Sequence, residues 1–555
     1  MDTGRKLKIE HRTSNATRPI TAWLLLLALC LGLPMTGLAQ DGQRGTYWTA
    51  NDAKSDVKFT LHGSWRTRIG AMNDFSAGLT AEGDDWMVDP GEWLEHRLRV
   101  DPIVKIGKRV RLVSQLDVFD GRLLGPTTDL AADYLLIPRD ENTGLTSFEL
   151  RKLYLEWTAS FGRLTVGQQT SSWGLGILAN DGEKDGLFDD NRYGDIVERV
   201  LFATTPLRLF SNGDFAKHFF VALGADLVFK DENADLLAGD RAFQGVLSSF
   251  YKDKSLFAGI YVAYRNQQDR KEELDEISPD PDQPVTAFDP ERVKTSLSVW
   301  AIDLAGSYKT KDGDVVLGIA GEAALVVGET TRGVNNEANR GGLDVLQLGC
   351  AIEGLANIPS VKLATSLKAG YAAGDRNSVD AKAAQFKFDP GYRVGMILFE
   401  EILWATSALS AHRLSDPARV NAAPAGVRSL PTNGAITNAV YVAPSIGFQP
   451  VSSLELQLGA LFAATPAGLG DQYFSQSGEG GGGSWFTPWQ KKADTGVLGY
   501  EVDGGIIWHA LNSEELKLRI GAQGGIFFAG NTFESVTNES FPTVWKTRFL
   551  VDLKW

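Results

Sequence analysis

Two-faced segments joined in turn by short turns and long polar loops, no apolar run long enough for a spanning helix, and a last strand that stops on an aromatic residue predict the fold class. The chain reads as all-β: a single antiparallel transmembrane β-barrel of about 18 strands after an N-terminal signal peptide. The last strand, TVWKTRFLVDLKW, carries the pattern most plainly. Trp545, Phe549, Val551, Leu553 and Trp555 fall on one face; Lys546, Arg548, Asp552 and Lys554 fall on the other. Successive strand side chains point to opposite faces, so one face suits lipid and the other a wet interior.

The totals agree. The chain has 555 residues and a net charge of −14, which argues against a nucleic-acid partner. Mean hydropathy is −0.13, as expected where half of each strand faces water. The one apolar run, Trp23 to Leu33, follows Arg5, Lys6, Lys8, Arg12 and Arg18 and is too short to span as a helix. With Gly37-Leu38-Ala39 behind it as a cleavage site, residues 1–39 read as a secretory signal peptide. A lipoprotein signal built on Cys30 is disfavoured by the bulk of Leu29. Residues 40–56 are then a short periplasmic segment and 57–555 the barrel. Cys350 is the only cysteine left after cleavage, so neither an intrachain disulfide nor a cysteine metal cluster is available.

Taken in order, the first strand starts at Val57. Val57, Phe59, Leu61, Trp65 and Ile69 share one face; Lys58, His62, Arg66 and Arg68 share the other. Strands follow at 93–106 and 109–119 around Gly107-Lys108, then at 148–159 and 163–173, then at 196–204. Further strands are expected near 217–229, 241–251, 256–266, 296–309, 314–328, 342–356, 360–373, 435–449, 453–465, 497–511 and 515–529, before the last at 543–555. Trp65, Trp93, Trp157, Trp300, Trp508, Trp545 and Trp555 recur as interfacial girdles require. Phe386 to Phe399 also looks strand-like. Counting it would make the total odd, whereas bacterial single-chain barrels have even counts. Residues 375–434 are therefore read as one long extracellular loop. It includes a short helix within Val394 to His412 and is of a size that often folds inward.

The expected pore-lining residues are the inward arginines Arg66, Arg68, Arg97, Arg99, Arg111, Arg519 and Arg548, with Arg151 beside them. The first and last strands of a closed barrel are neighbours, so most of these gather on one wall. Such a wall selects anions. The alternative is a salt-bridged lumen neutralised by Glu95, Asp101, Asp117, Glu501, Asp503 and Asp552. The acidic loop Asp181 to Asp195 offers oxygen ligands for Ca²⁺ but lacks an EF-hand pattern, so a solvated loop is the simpler reading. His62 and Ser64 share a face, as alternate residues of any strand do, and no catalytic group is assigned. The tip Gly478 to Gly483, flanked by Trp485 and Trp489, is a flexible loop whose tryptophans stack on sugars or anchor at the membrane.

SWGLGILANDG with GDIVERVLFATTP (Ser172 to Pro206), and FKFDPGYRVGMILFEE (Phe386 to Glu401), resemble an uncharacterised porin-like barrel family of myxobacteria and relatives. LGYEVDGGIIWHALNSEELKLRIGAQGGIFFAGNTF is similar to the closing hairpins of alginate-export-type barrels. The latter resemblance implies 18 strands and an arginine-lined lumen passing anionic polysaccharide. The last strand resembles a C-terminal assembly signal, carried by Phe549, Val551, Leu553 and Trp555, with Leu550 where that signal usually has Gly. The expected function is a passive outer-membrane channel, a porin or exporter for small or anionic hydrophilic solutes, without cofactor or resident metal. Its partners are outer-membrane lipid and lipopolysaccharide, the barrel-assembly machinery and the solute, with both termini in the periplasm. The alternative is a plugged structural or adhesive barrel whose loops bind partners.

Overall fold

The computed structural model describes residues 56–555 except 81–82, 126–144, 185, 189–193, 271–294, 334–338, 340, 378–379, 416–424, 478–484 and 538–539. The predicted signal peptide and residues 40–55 lie outside the described residues.

The wall consists of β1 (Val57–Met72), β2 (Glu92–Ile106), β3 (Val110–Leu124), β4 (Leu145–Ala159), β5 (Gly162–Thr170), β6 (Ile196–Thr204), β7 (Phe219–Lys230), β8 (Arg241–Lys252) and β9 (Leu256–Gln268). It continues with β10 (Ser296–Asp312), β11 (Val315–Thr330), β12 (Leu343–Ile358), β13 (Leu363–Ala372), β14 (Ala439–Val451), β15 (Leu454–Thr465), β16 (Gly496–Asn512), β17 (Lys517–Ala529) and β18 (Val544–Lys554). Each strand pairs antiparallel with the next, and β1 pairs with both β2 and β18. The ring is therefore a closed antiparallel barrel of 18 strands, with no free edge to satisfy. The remaining member of the sheet, the two-residue strand Lys382–Ala383, belongs to a loop and runs parallel to β12.

Apolar side chains point outward all round the ring, among them Leu223, Leu247, Leu304, Ile319, Leu346, Leu458 and Ile506, all exposed. Aromatics border this band at both ends. Tyr264, Trp300, Phe462, Tyr500, Phe528 and Trp545 lie near the long-loop end; Trp157, Phe161, Phe202, Phe219, Tyr251 and Trp508 lie near the end where β1 starts and β18 finishes. This is the surface a barrel shows to lipid. In β18 the outward Trp545 and Phe549 are exposed while Lys546, Arg548 and Asp552 are buried inward, as the alternation predicts.

Three details differ from expectation. Trp93 faces the lumen, not lipid: it shares the inward parity of Glu95 and Arg97 and lies under Arg122, whose guanidinium is 5.0 Å from its ring. Gly70 makes the room, since a Cβ there would sit 2.3 Å from that ring. Strand β3 continues past Phe119 to Leu124 because Phe119 (φ 57°) and Gly121 (φ 124°) absorb register shifts. Strand β5 stops at Thr170, and Trp173 turns into the lumen instead of extending it.

Joints at the termini end are mostly short, such as 107–109, 160–161, 253–255 and 452–453. The exception is 205–218, which contains a 3₁₀ turn (Pro206–Leu209) and α1 (Asp214–His218). At the other end the joints are long, and β13 pairs directly with β14 across residues 373–438. Phe386 to Phe399 lies in that interval and is not a wall strand. The same interval holds a π-helical turn (Leu398–Leu403) that runs into α2 (Trp404–Ser415).

The long loops fold inward. Phe75, Ile177, Phe386, Phe388, Ile397, Leu398, Leu409, Trp489 and Phe533 form one buried apolar cluster with wall residues such as Val345 and Phe527. Burying each large apolar side chain is worth ~1.5–3 kcal/mol, so this fill is a core and not a loose lid. Gly349 on β12 lets it approach: a Cβ there would lie 2.4 Å from the Phe386 ring.

Candidate functional site: the lumen

The lumen has two kinds of buried charge. Near the seam, charges pair between wall strands. Arg66 stands directly opposite both Arg97 on β2 and Asp552 on β18. Asp552 is shared: it is 3.4 Å from Arg66 and accepts a hydrogen bond from Arg519 at 2.9 Å. Arg99 donates twice to Asp117, each at 2.6 Å, and Arg151, fully buried, is 3.7 Å from the same carboxylate. Arg111 lies nearer the termini end, 3.4 Å from Glu156. Arg68 and Arg97 are buried on the same wall, with Arg68 facing Glu95 in the register. The structure thus gathers Arg66, Arg68, Arg97 and Arg99 on one wall, and gives several of the arginines the carboxylate partners of the salt-bridged alternative. Arg548 reaches elsewhere, to Gln523 at 2.7 Å and to the Phe188 carbonyl at 2.8 Å.

In the long-loop half, wall charges hold loop backbone. Glu501 on β16 accepts from the N–H groups of Met396, Ile397 and Leu398, the last two at 2.9 Å. These are donors at the start of the helical segment, where a carboxylate is favoured. Lys546 holds the Glu401 carboxylate at 2.6 Å and the Met396 carbonyl at 3.2 Å. Glu322 on β11 accepts from Gly176 (2.8 Å) and Ile177 (3.2 Å), and Trp173 donates to Asp303 at 3.1 Å. Sequence reasoning gave Glu322 no role. Its signal was a lone lumen-facing carboxylate amid the small residues of GIAGEAALVV.

The remaining sequence-predicted features are placed as follows. Within the acidic loop, Asp185, Asp189 and Asp190 lie outside the described residues. Glu183 binds Lys152 and Gln115 on the wall, and the Asp181 carbonyl accepts from Arg151. Asp195 is buried and leaves the loop's other acids to join Asp231 and Glu232, all with ligand atoms within 4.8 Å of one another. Asp231 is already bound at two oxygens by Arg265. Burial pushes Asp195 and Asp389 well above the ordinary carboxylate range, the charge of Asp389 adding to the rise at Asp195 and that of Glu232 to the rise at Asp389, and Glu232 is pushed up to about 7 by burial and Asp231. His62 and Ser64 share no hydrogen bond among the described residues. Trp489 is buried, its indole 3.4 Å from Ser76, so it neither meets sugars nor anchors the loop in lipid. Residues 478–484 lie outside the described residues.

Between the loop fill and strands β8 to β12 lies a cavity of about 320 Å³. Asp195, Asp231, Glu232, Arg265, Arg332 and Lys387 line it together with Tyr261, Phe386 and Phe388. Its cations are engaged: Arg332 grips Asp269 twice at 2.7 Å, and Lys387 donates to the carbonyls of Ser429, Leu430 and Pro431. Burial lowers Lys387 to about 8.

No family model matches the chain, and no curated protein matches it. Among solved structures it is similar to Pseudomonas aeruginosa OccK8 (OprE), at 10% identity and TM-score 0.42, covering 89% of this chain and 98% of that one. P. aeruginosa OccK11 (OpdR) gives 11% and 0.42 over 93% and 99%. P. aeruginosa OccK2 (OpdF), solved in complex with glucuronate, gives 8% and 0.43 over 89% and 97%.

Proposed function

We propose that the chain is a passive outer-membrane channel for small hydrophilic solutes, with a preference for anions, and that its long loops narrow the lumen at rest. The observation that carries the preference is the register that sets Arg66 against Arg97, with Arg68 and Arg99 next along the same face. Like charges directly opposite are destabilising, a cost that Asp552, shared between Arg66 and Arg519, offsets in part and that an anion in the lumen would offset further. Alginate-export-type barrels, which the closing hairpins resemble, use an arginine-lined lumen in that way. In this reading residues 1–39 are cleaved, both termini face the periplasm, and 373–438 enters the barrel from outside. The assembly machinery reads Phe549, Val551, Leu553 and Trp555, while lipopolysaccharide meets the long-loop girdle.

The test is conductance of the folded protein in planar bilayers. Ion current with a reversal potential of anion-selective sign in a salt gradient supports the reading; a cation-selective sign removes the arginine wall from it. A second reading, a plugged structural or adhesive barrel, is favoured by the continuous apolar cluster that fills the loop half. Complete absence of current would select it.

A further inference from the structure

The joint 205–218 breaks the rule of short turns at the termini end, and it does so with apolar residues. Leu209 is 81% exposed, Phe210 86% and Phe215 58%, a surface that a turn in water does not keep. The joint also does not hang below the barrel. Phe215 stacks on Tyr251 at 5.3 Å (12° between planes) and on Phe219 at 5.7 Å. Phe219 and Tyr251 occupy the outward parity of β7 and β8, shared with the exposed Leu223 and Leu247. Helix α1 therefore lies against the lipid-facing side of the wall. His218 closes the helix, its Nδ1 2.9 Å from the Asp214 carbonyl, and its ring meets Tyr251 at 6.0 Å.

We propose that residues 205–218 form a membrane anchor seated in the interfacial layer at the termini end, with anionic phospholipid as its partner. Two observations choose lipid over a protein partner. The apolar side chains continue an aromatic belt already committed to lipid, through Trp157, Phe161 and Phe202 on one side and Phe219 and Tyr251 on the other. The exposed cations Arg208 and Lys217 flank them, suited to phosphate headgroups, and outnumber the segment's one acid, Asp214, whose exposed carboxylate lies 3.6 Å from His218. Leu209, Phe210 and Phe215 enter the acyl boundary as aromatic and aliphatic residues do at interfaces.

The proposal rests on the chain spanning a bilayer, and the test separates the two. In a Cys350→Ser background, Phe210→Cys is labelled with an environment-sensitive fluorophore, and the full barrel is reconstituted in phosphatidylethanolamine–phosphatidylglycerol vesicles. A Leu247→Cys label, on the middle of the lipid-facing wall, is the control. Blue-shifted emission at position 210 that is largely lost with doxyl-labelled lipid supports the anchor. So does a weaker loss when Arg208→Glu and Lys217→Glu are added, an effect absent from uncharged vesicles. If Leu247→Cys is quenched and Phe210→Cys emits as in water, the anchor is overturned and the barrel stands. If neither is quenched, the spanning barrel itself is wrong, and the anchor with it.

Discussion

The seam and the loop clamps bury charge for opposite reasons. At the seam, Arg66, Arg99, Arg519, Asp117 and Asp552 pair wall to wall, between strands that already hydrogen-bond to one another. In the long-loop half, Glu501, Glu322 and Lys546 spend their charge on segments that arrive from elsewhere in the chain. Seam pairs therefore belong to the barrel, whereas clamp pairs belong to the fill, and the two should come apart on mutation. Asp117→Ala leaves both Arg99 and Arg151 buried beside a missing carboxylate, and breaking a buried pair costs ~3–5 kcal/mol. The expected result is a clear drop in the unfolding temperature of the folded barrel in detergent; an unchanged midpoint would mean the seam is wetter than drawn.

Glu501→Ala should act on the other half. It strips the acceptor from the three N–H groups of Met396, Ile397 and Leu398, at ~1–3 kcal/mol for each donor left buried without a partner. The wall makes no use of those bonds. Barrel melting should hardly move, while protease reaches the Phe386 to Ser415 segment and single-channel current rises. Protection of that segment equal to wild type would show that the apolar cluster, and not the clamp, holds it.

The same division decides what could be read in advance. Faces follow from a period of two, so the outward Trp545 and Phe549 and the inward Arg66 and Arg99 were legible from alternation alone, and the even-count rule kept Phe386 to Phe399 out of the wall. Trp93 departs from the girdle because the parity it shares with Glu95 and Arg97, and not its aromatic character, decides its face. The clamps were not legible for a physical reason. Glu322 and Gly176 are joined only by the path of an inward loop, and no local period encodes where such a loop lands. Asp195 illustrates the same limit: its sequence neighbours suggest a solvated acidic loop, while its spatial neighbours are Asp231, Glu232 and Asp389.

A smaller change tests transport at the seam position where a pair and a repulsion meet. Replacing both Arg66 and Arg97 with Ala removes the opposed pair, so selectivity should shift toward cations in the reversal potential. Stability should fall less than in Asp117→Ala, because Asp552 keeps Arg519 as a partner and the repulsion between the opposed arginines is relieved. A reversal potential that stays put would assign selectivity to the loops.

The smallest effect is one of pH, and it concerns how the fill holds itself together. Asp195 follows the loop after β5, Glu232 lies in the loop after β7, and Asp389 belongs to the segment before the helical turn, so three loops meet at carboxyl groups. Their values are raised, burial being the first cause and neighbouring carboxylates the next. Raised acids stabilise the folded arrangement fully below their ordinary range, and the contribution is lost as pH climbs through the raised values. For Glu232 that window runs from 4.5 to about 7. The loops should therefore grip hardest in acid and loosen toward neutrality, seen as longer open times in single-channel records as pH rises. Asp389→Asn and Glu232→Gln should flatten the trend, since an amide keeps the hydrogen bonds without acquiring charge. Open times that shorten as pH rises would reverse the sign and refute the carboxyl cluster as a hold on the loops.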